Sequence, residues 1–239
     1  MDQTTFEGME KIGYYEILIW DTYLMNKWKC DAFDVVLDIG ACVGWFSFFV
    51  HMRNAKAKIF AYEACKETFN YTSNKYKYMG NIKFINKALG NGSPLYFYNS
   101  GNIGCNLFFE KNKIDKELET YSIKSLSLND MFKENNIDKN SRYFIKVDCE
   151  GGEKYLLNDK KSINIIKRSS GFTVELHFPS AKHPEKGHYK SFPAWKVYKN
   201  WVYDNFEETH EIIYHYSNKN VGRGVYVLTN KESLKWRAK

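Results

Sequence analysis

A glycine-containing turn between an apolar run and an amphipathic stretch is the first feature that could do chemistry. Residues 35–47 read VVLDIGACVGWFS, which is typical of a buried strand, a tight turn and the start of a helix. Gly40 and Gly44 have no Cβ, so a ligand could approach the backbone of the turn closely. The pattern predicts a ligand site here; the alternative is that the glycines merely end the strand.

An acidic residue at the end of the next predicted strand narrows the choice of ligand. Glu63 lies 23 positions after Gly40, where a carboxylate can bind the hydroxyls of a ribose. A dinucleotide site needs glycines spaced G-x-G-x-x-G, whereas this turn has G-x-x-x-G preceded by Asp38. An acidic residue there disfavours a phosphate and suits the amino group and the cation of S-adenosylmethionine. We therefore expect S-adenosylmethionine, and not NAD, as the cofactor.

A second polar segment follows a later apolar run. Residues 144–153 read FIKVDCEGGE, so Asp148 comes directly after a predicted strand. Ligands of open α/β sheets bind beside the carboxyl ends of such strands, and we expect Asp148 to lie near the methyl donor. Its alternative role is to cap the next helix. Glu150 is a further candidate, and Lys146 either neutralises the neighbourhood of Asp148 or is a solvated residue.

A histidine ends the following predicted strand, at the same edge of the sheet. The ordinary pKa of His177 makes it a candidate base, and its alternative role is to pack the loop that follows. The further histidines, His183 and His188, do not continue the spacing of a helical metal-ligand pair, with or without Glu175. We therefore predict no metal site.

Short apolar runs alternate with amphipathic stretches along the chain. The strands and helices that they form must position the candidate site residues. The predicted core strands are 35–37, 58–62, 82–85, 142–147 and 172–176, with helices over 45–53, 66–79, 128–132 and 153–167. Such alternation predicts a parallel sheet with helices on both faces. The runs 211–216 and 224–228 predict an antiparallel hairpin. The expected fold class is α/β, a Rossmann-like, mostly parallel sheet of about seven strands with an antiparallel C-terminal hairpin.

A single domain is the simplest organisation for 239 residues. We expect an N-terminal cap over residues 1–30, a cofactor-binding and catalytic core over 34–178, and a lid loop, a helix and the terminal hairpin over 179–239. The loop 179–193 is long for a compact domain, and such loops are often lids. Extra strands are expected at 95–98 and 121–123, around the loop 100–106.

Four segments together resemble a known family. The turn at 38–44 is similar to motif I of the Rossmann-like S-adenosylmethionine methyltransferases. SLND at 127–130 and KVDCEGGE at 146–153 resemble the L-D-D … K-I-D-x-E-G-x-E signature of the FkbM-type methyltransferases, and VELH at 174–177 resembles that family's E-x-H strand. The motifs occur in the family's order and cover residues 34–178. Cys42 stands where the family more often has Asn, and Gly152 where it often has Ala.

The resemblance implies methylation of a hydroxyl, commonly on a sugar or a secondary metabolite. The expected acceptor is a glycan or a small molecule. The predicted catalytic residues are Asp148, His177, Glu150 and Lys146. The predicted cofactor-binding residues are Asp38, Gly40, Ala41, Cys42, Gly44, Glu63, Ala64, Lys87, Ala88 and Asp148.

Two other functions remain open at this point. An RNA 2′-O-methyltransferase needs a lysine-aspartate-lysine-glutamate group, part of which Lys146, Asp148 and Glu175 imitate. Against it stands the scarcity of arginine, which supplies five of the 35 basic residues, because the arginine fork is suited to phosphates and base edges. The second alternative is a non-catalytic binder that kept the fold.

Composition bounds the setting of the protein. A hydrophobic content of 44% and an aromatic content of 17% predict a packed core. No apolar run approaches 18 residues and the start lacks a basic n-region, so neither a membrane span nor a signal peptide is expected. Five cysteines without a C-x-x-C pair favour a reducing, cytoplasmic setting. The net charge of +7 comes from scattered lysines, typical of a solvated surface, which makes a nucleic-acid partner the less favoured option. The oligomeric state is not indicated.

Overall fold

Helices and strands alternate along the chain, and the computed structural model describes them over residues 3–29, 31–98, 107–109, 120–138, 140–179, 193–220 and 222–236. The α-helices in these ranges are α1 (Gln3–Tyr14), α2 (Trp45–Arg53), α3 (Lys66–Lys75), α4 (Leu128–Glu134), α5 (Lys160–Arg168) and α6 (Trp195–Phe206). The shorter helical turns are a π-helical turn at Tyr15–Ile19 and 3₁₀ turns at Met25–Lys27, Gly152–Leu156 and Lys231–Trp236.

The strands form one large sheet and two small ones. In chain order they are β1 (Val35–Ile39), β2 (Lys58–Tyr62), β3 (Ile82–Ile85), β4 (Ala88–Leu89), β5 (Leu95–Tyr98), β6 (Leu107–Phe109), β7 (Thr120–Ile123), β8 (Ser125–Leu126), β9 (Tyr143–Val147), β10 (Gly171–His177), β11 (His210–Asn218) and β12 (Arg223–Asn230). The large sheet has the order β11-β12-β10-β9-β1-β2-β3. One small sheet pairs β4 with β8, and the other has the order β6-β5-β7.

The pairing directions identify where a ligand can bind. The strands β10, β9, β1, β2 and β3 run parallel, whereas β12 is antiparallel to both β10 and β11. After β1 the chain builds outwards through β2 and β3, and it later returns to the other side of β1 to form β9 and β10. The boundary between β1 and β9 is therefore the topological switch point, where open α/β sheets bind ligands beyond the carboxyl ends of the strands.

Apolar side chains on both faces explain why the central strands are buried. Along β1, Val35, Leu37 and Ile39 lie in the core cluster on one face, and Val36 lies in the cluster on the other. Successive side chains of a strand point to opposite faces, so a strand covered on both sides must be apolar at nearly every position. Asp38 interrupts this run although its side chain has no exposed surface, which marks it as a buried charge that needs a partner.

The N-terminal segment, residues 3–29, packs against one face of this sheet. Trp28 is buried, with its ring centroid 4.8 Å from Phe33 and 5.9 Å from Phe144 of β9. Tyr14, at the end of α1, lies edge-on against Trp45 at 5.6 Å between ring centroids. The segment therefore contacts both β9 and the beginning of α2, the two elements that flank the switch point.

The predicted fold class is confirmed, and the main local difference lies after β9. A single helix over 153–167 was expected, whereas a 3₁₀ turn ends at Leu156 and α5 begins at Lys160. Asp159 causes the new start, because its side chain accepts a hydrogen bond from the backbone N–H of Lys161. The extra strands expected near 95–98 and 121–123 are β5 and β7. The division into cap, core and lid stays a prediction.

Several predicted features lie outside the described residues. They are the loop 100–106, most of the loop 179–193, and within that loop His183 and His188. Among the helices that are described, none combines the length and the apolarity that crossing a membrane requires.

A close approach between two strand ends explains the first glycine of the turn after β1. Gly40 has a φ of +80°, and a Cβ placed on it would lie 1.7 Å from the backbone oxygen of Asp148. We expected the glycines to make room for a ligand, but at Gly40 the protein's own backbone fills that space. At Gly44, with a φ of +83°, an added Cβ would meet the side chains of Tyr76 and Thr72 at 2.6 and 2.7 Å. The turn is thus packed tightly against its neighbours.

Replacing Gly40 tests this packing. Gly40→Ala adds backbone strain and a contact that the end of β9 must relieve by moving, so we expect a loss of about 4 kcal/mol or more in the free energy of unfolding. Gly92→Ala is the matched control, since Gly92 has a φ of +94° and an added Cβ would meet nothing within 4 Å. It should lose about 1–2 kcal/mol, the strain alone. Urea unfolding of both variants measures the difference, and equal losses would contradict the close approach.

Candidate active site

The candidate site lies at the switch point, where the turn after β1 and the end of β9 meet. The backbone N–H of Asp148 donates to the carbonyl of Ile39 at 2.9 Å, which fixes Asp148 beside the turn. The backbone N–H groups of Gly40 and Ala41 donate to the carbonyl of Tyr62, each at 2.9 Å. The ends of β1, β2 and β9 are therefore held together by backbone hydrogen bonds before any side chain is considered.

Lys146 is buried and joins the turn to Asp148. Its Nζ donates to the carbonyl of Gly40 at 2.6 Å and lies 3.2 Å from Oδ1 of Asp38 and 3.9 Å from Oδ2 of Asp148. Burial lowers the pKa of Lys146, but the carboxylates of Asp38 and Asp148 outweigh burial, so the pKa is raised and the group stays charged. Of the two roles considered for Lys146, this geometry fits neutralisation of the surroundings of Asp148 and does not fit a solvated residue.

Asp38 supports the turn from within the protein. Its carboxylate pairs with Lys146 and accepts a hydrogen bond from the hydroxyl of Ser47 at 2.7 Å. The side chain of Asp38 has no exposed surface, and its described contacts are internal to the protein. Its role as a partner of the cofactor cation stays a prediction. Asp38 supplies the counter-charge for Lys146 and fixes α2, which carries Ser47, against β1.

Glu63 joins the first turn to the end of β2. One carboxylate oxygen accepts the backbone N–H of Cys42 at 2.8 Å, and the other accepts that of Cys65 at 2.7 Å. Burial raises the pKa of Glu63 to about 7, although both hydrogen bonds act in the opposite direction. The side chain is partly exposed and keeps lone pairs for further donors such as ribose hydroxyls.

The remaining predicted cofactor residues have different surroundings. Cys42 is exposed, with a φ of +51°, and its carbonyl accepts a hydrogen bond from the hydroxyl of Thr72 at 2.9 Å. Ala41 is buried, and Ala64 is partly buried beside the small core around Ala88. Lys87 pairs with Glu134, and Ala88 is buried in the strand β4. The described contacts of Lys87 and Ala88 are therefore structural.

Asp148 is the carboxylate at the centre of the site. A quarter of its side chain is exposed (25%), so a ligand bound beyond the end of β9 can contact it. Its Oδ2 accepts a hydrogen bond from the hydroxyl of Tyr23 at 2.7 Å, and its Oδ1 lies 4.0 Å from Nε2 of His177. The capping role that we considered for Asp148 is not seen, since the 3₁₀ turn after it begins at Gly152 without a side-chain cap.

Glu153 shapes the segment between Asp148 and the 3₁₀ turn. Its carboxylate is fully buried and accepts the backbone N–H groups of Cys149 at 2.9 Å and Gly151 at 2.8 Å. The same group lies 3.3 Å from Nδ1 of His177. The bend it stabilises includes two residues of positive φ, Glu150 at +51° and Gly151 at +104°. Glu153 therefore sets the position of both Asp148 and His177.

His177 is buried among carboxylates. Besides Glu153, its ring nitrogen Nε2 lies 3.4 Å from Glu150 and 3.9 Å from Glu175. Burial lowers the pKa of His177, but the surrounding carboxylates, with Glu150 and Glu153 foremost, raise it well above its ordinary value. These carboxylates therefore favour the protonated ring, which donates hydrogen bonds and does not accept a proton.

Further acidic groups that the sequence did not mark as site residues surround this cluster. Glu175 is buried next to Asp148, and burial followed by the charge of Asp148 raises its pKa. Arg223 of β12 lies 3.5 Å from Glu175 and 3.8 Å from Glu16 of the N-terminal segment. Glu16 also has a raised pKa, again because of burial and then Asp148. A signal for Glu175 existed in the E-x-H strand, but no motif marks Glu16.

The donor set at this edge could hold a cation. Asp148, Glu175 and His177 each offer one ligand atom, and these atoms lie within 4.8 Å of one another. A metal would have to displace the proton of His177, because only the neutral ring is a ligand. The prediction that the protein needs no metal stays a prediction.

The chain is similar to a known protein family and to several solved structures. Residues 38–214 match the model of the methyltransferase FkbM domain. No curated protein matches the chain. Similar solved structures include a SAM-dependent methyltransferase from Aquifex aeolicus, 15% identical over 96% of this chain and 99% of that one, with a TM-score of 0.45. Methyltransferase FkbM from Methylobacillus flagellatus KT is 13% identical over 94% of this chain and 58% of that one, at 0.49.

A third structure is that of the N-terminal domain of EvdMO1 in the presence of SAH and D-fucose. It is 9% identical over 100% of this chain and 84% of that one, with a TM-score of 0.41. The family model, in contrast, spans most of the chain, including the turn at Gly40, the carboxylate of Glu63 and the segment around Asp148. The chain belongs to the FkbM family and is a methyltransferase that uses S-adenosylmethionine.

Proposed function

We propose that this protein methylates a hydroxyl group of a sugar, a glycan or another small, uncharged metabolite. The observation that carries the proposal is the excess of carboxylates around the reacting position. Asp148, Glu150, Glu153 and Glu175 surround His177, and Glu16 lies beside Arg223. The cationic neighbours of these carboxylates are Lys146 and Arg223. Carboxylates accept hydrogen bonds from hydroxyls and repel phosphates. Such a site favours a neutral polyhydroxyl acceptor.

The residues of the chain have separable tasks in this proposal. S-adenosylmethionine supplies an electrophilic methyl group on a sulfonium when it is bound. Glu63 binds the hydroxyls of its ribose, and the turn at Gly40 fixes its position against the end of β9. Asp148 accepts the proton of the acceptor hydroxyl at Oδ1, while the carbon–sulfur bond of the sulfonium would break and release S-adenosylhomocysteine. Positioning supplies the larger part of the acceleration, because methyl transfer needs alignment and one proton acceptor.

His177 takes the part of a donor in this arrangement. We considered it as a base, which requires a neutral ring, whereas the carboxylates around it favour the imidazolium. As a charged donor between Glu150 and Glu153, it keeps these acids apart from Asp148 and can orient the acceptor oxygen. The base is therefore assigned to Asp148, whose partly exposed carboxylate directly follows β9 at the switch point.

The two alternative functions make different demands on the site. RNA would bring a phosphate chain to an edge rich in carboxylates, which opposes binding unless basic residues compensate. A non-catalytic binder would not depend on the protonation of Asp148 at all. Both alternatives are distinguished by the following measurement, because it separates turnover from binding and sugar from RNA.

Asp148→Asn should lower turnover by about 10²–10⁴-fold and leave the affinity for S-adenosylhomocysteine nearly unchanged, because a positioned base is lost and the ribose site is intact. His177→Ala should also lower turnover, by a smaller factor, since it removes the donor. Asp138→Asn is the matched control, because this exposed carboxylate precedes the amino end of β9.

The readout is transfer of labelled methyl to a panel of monosaccharides and glycans that includes D-fucose, with an RNA transcript as the competing acceptor. Calorimetry with S-adenosylhomocysteine reports the cofactor site. Wild-type turnover in Asp148→Asn would refute the assignment of the base, and wild-type turnover in His177→Ala would refute the donor role of His177. Methylation of RNA in preference to every sugar would refute the proposed acceptor class.

The pKa of Glu63 predicts how cofactor binding depends on pH. In the free protein this pKa is about 7, so the carboxyl is largely protonated below that value. Ribose hydroxyls donate to the ionised form, so binding releases a proton and the affinity for S-adenosylhomocysteine rises with pH. Between pH 6 and 8 the increase should be about tenfold, with a plateau above.

Calorimetry in buffers of different ionisation enthalpy counts the released protons directly. Glu63→Gln should bind more weakly and lose this dependence, because the amide does not titrate. A pH dependence that persists in Glu63→Gln would place the ribose on another residue.

A further inference from the structure

The N-terminal segment reaches the carboxylate at the centre of the site, although it precedes the region that matches the family model, residues 38–214. The hydroxyl of Tyr23 donates to Oδ2 of Asp148 at 2.7 Å, across 125 positions of sequence. We propose that Tyr23 is a positioning residue of the methyl-transfer site, which holds the carboxylate of Asp148 in the orientation that presents Oδ1 to His177 and the acceptor. This inference rests on the proposed function, in which Asp148 is the base.

The ring of Tyr23 is held firmly enough to orient another side chain. It is buried (4% exposed) and lies edge-on to Phe46 of α2, at 5.8 Å between ring centroids. Asp21 fixes the turn that carries it, since its carboxylate accepts the backbone N–H of Met25 at 2.7 Å and that of Asn26 at 3.2 Å. The hydroxyl is thus delivered to Asp148 by a segment that is itself anchored at both the side chain and the backbone.

The hydroxyl of Tyr23 remains a hydrogen-bond donor throughout the working range of pH. Burial, and then the negative charge of Asp148 and Glu175, raise the pKa of Tyr23 well above its ordinary value. A neutral phenol facing a carboxylate donates its proton to the hydrogen bond and accepts none from it. Hydrogen bonds to a charged partner are among the stronger ones in proteins.

The competing partner of Oδ2 shows what the hydroxyl prevents. Nζ of Lys146 lies 3.9 Å from the same oxygen and is already paired with Asp38 and with the carbonyl of Gly40. Without the hydroxyl, the attraction of Lys146 for Oδ2 has no competitor at short range. The carboxylate of Asp148 would then turn towards Lys146 and form a direct ion pair, which withdraws Oδ1 from His177. Tyr23 therefore keeps Oδ1 of Asp148 available to the acceptor.

The test compares two cofactor analogues that differ at the reacting position. S-adenosylhomocysteine lacks the methyl group, whereas sinefungin carries an amine there and should meet Asp148. Tyr23→Phe keeps the ring and removes the hydroxyl. We expect it to lower the affinity for sinefungin by about tenfold and to leave the affinity for S-adenosylhomocysteine unchanged, because the carboxylate moves while the ribose site does not.

Two further variants make the result specific to the contact. Asp148→Asn should also lower the affinity for sinefungin selectively. In the double variant, Tyr23→Phe should cause no further loss, because the two residues act as one unit. Tyr143→Phe is the matched control: it also removes a buried hydrogen bond of 2.8 Å, from Tyr143 to the carbonyl of Ile165, but at the amino end of β9. It should bind both analogues like the wild type. Circular dichroism during thermal unfolding confirms that each variant folds.

Different outcomes overturn different claims. If Asp148→Asn weakens sinefungin selectively and Tyr23→Phe does not, the positioning role of Tyr23 is refuted and the proposed function stands. If the losses of sinefungin affinity caused by Tyr23→Phe and Asp148→Asn add up in the double variant, Tyr23 acts through another group. The inference is then again refuted. If Asp148→Asn leaves sinefungin unchanged, Asp148 does not face the reacting position, and both the inference and the proposed base are refuted.

Discussion

The buried ammonium of Lys146 is the interaction on which the rest of the site depends. It bridges the carbonyl of Gly40 and the carboxylate of Asp38, and it lies within reach of Asp148. Removing a charge from water is costly, so the group is stable only because Asp38, itself buried, supplies the opposite charge. Since β1 and β9 are neighbours at the switch point, this one contact couples the turn after β1 to the carboxylate of Asp148 at the end of β9.

The carboxylates around His177 impose a second constraint on the site. Acids this close repel one another, and the raised pKa values of Glu16 and Glu175 reflect that repulsion together with burial. The backbone hydrogen bonds of Glu153 and the positive charge of His177 hold the group together. The clustering of carboxylates on which the proposed preference for a hydroxyl-bearing acceptor rests is therefore also costly to build.

Sequence patterns were sufficient for the fold and for the residues that follow strands. Alternating apolar runs predicted the sheet, and the carboxyl ends of its strands placed Glu63, Asp148 and His177 at one edge. Patterns do not show how deeply a charged residue is buried, so the pairing of Asp38 with Lys146 was not foreseen. The contact of Tyr23 with Asp148 was also missed, because it joins residues far apart in the chain and no local motif encodes it.

The antiparallel pairing of β10 with β12 brings the first residues of β12 opposite His177. In the observed register, His177 stands opposite Arg223 and Leu176 stands opposite Gly224. A shift of one residue would place a glycine opposite His177 and turn Arg223 to the other face of the sheet. A one-residue insertion or deletion at the start of β12 is therefore expected to act as a change at the site, because it alters which residue stands opposite His177.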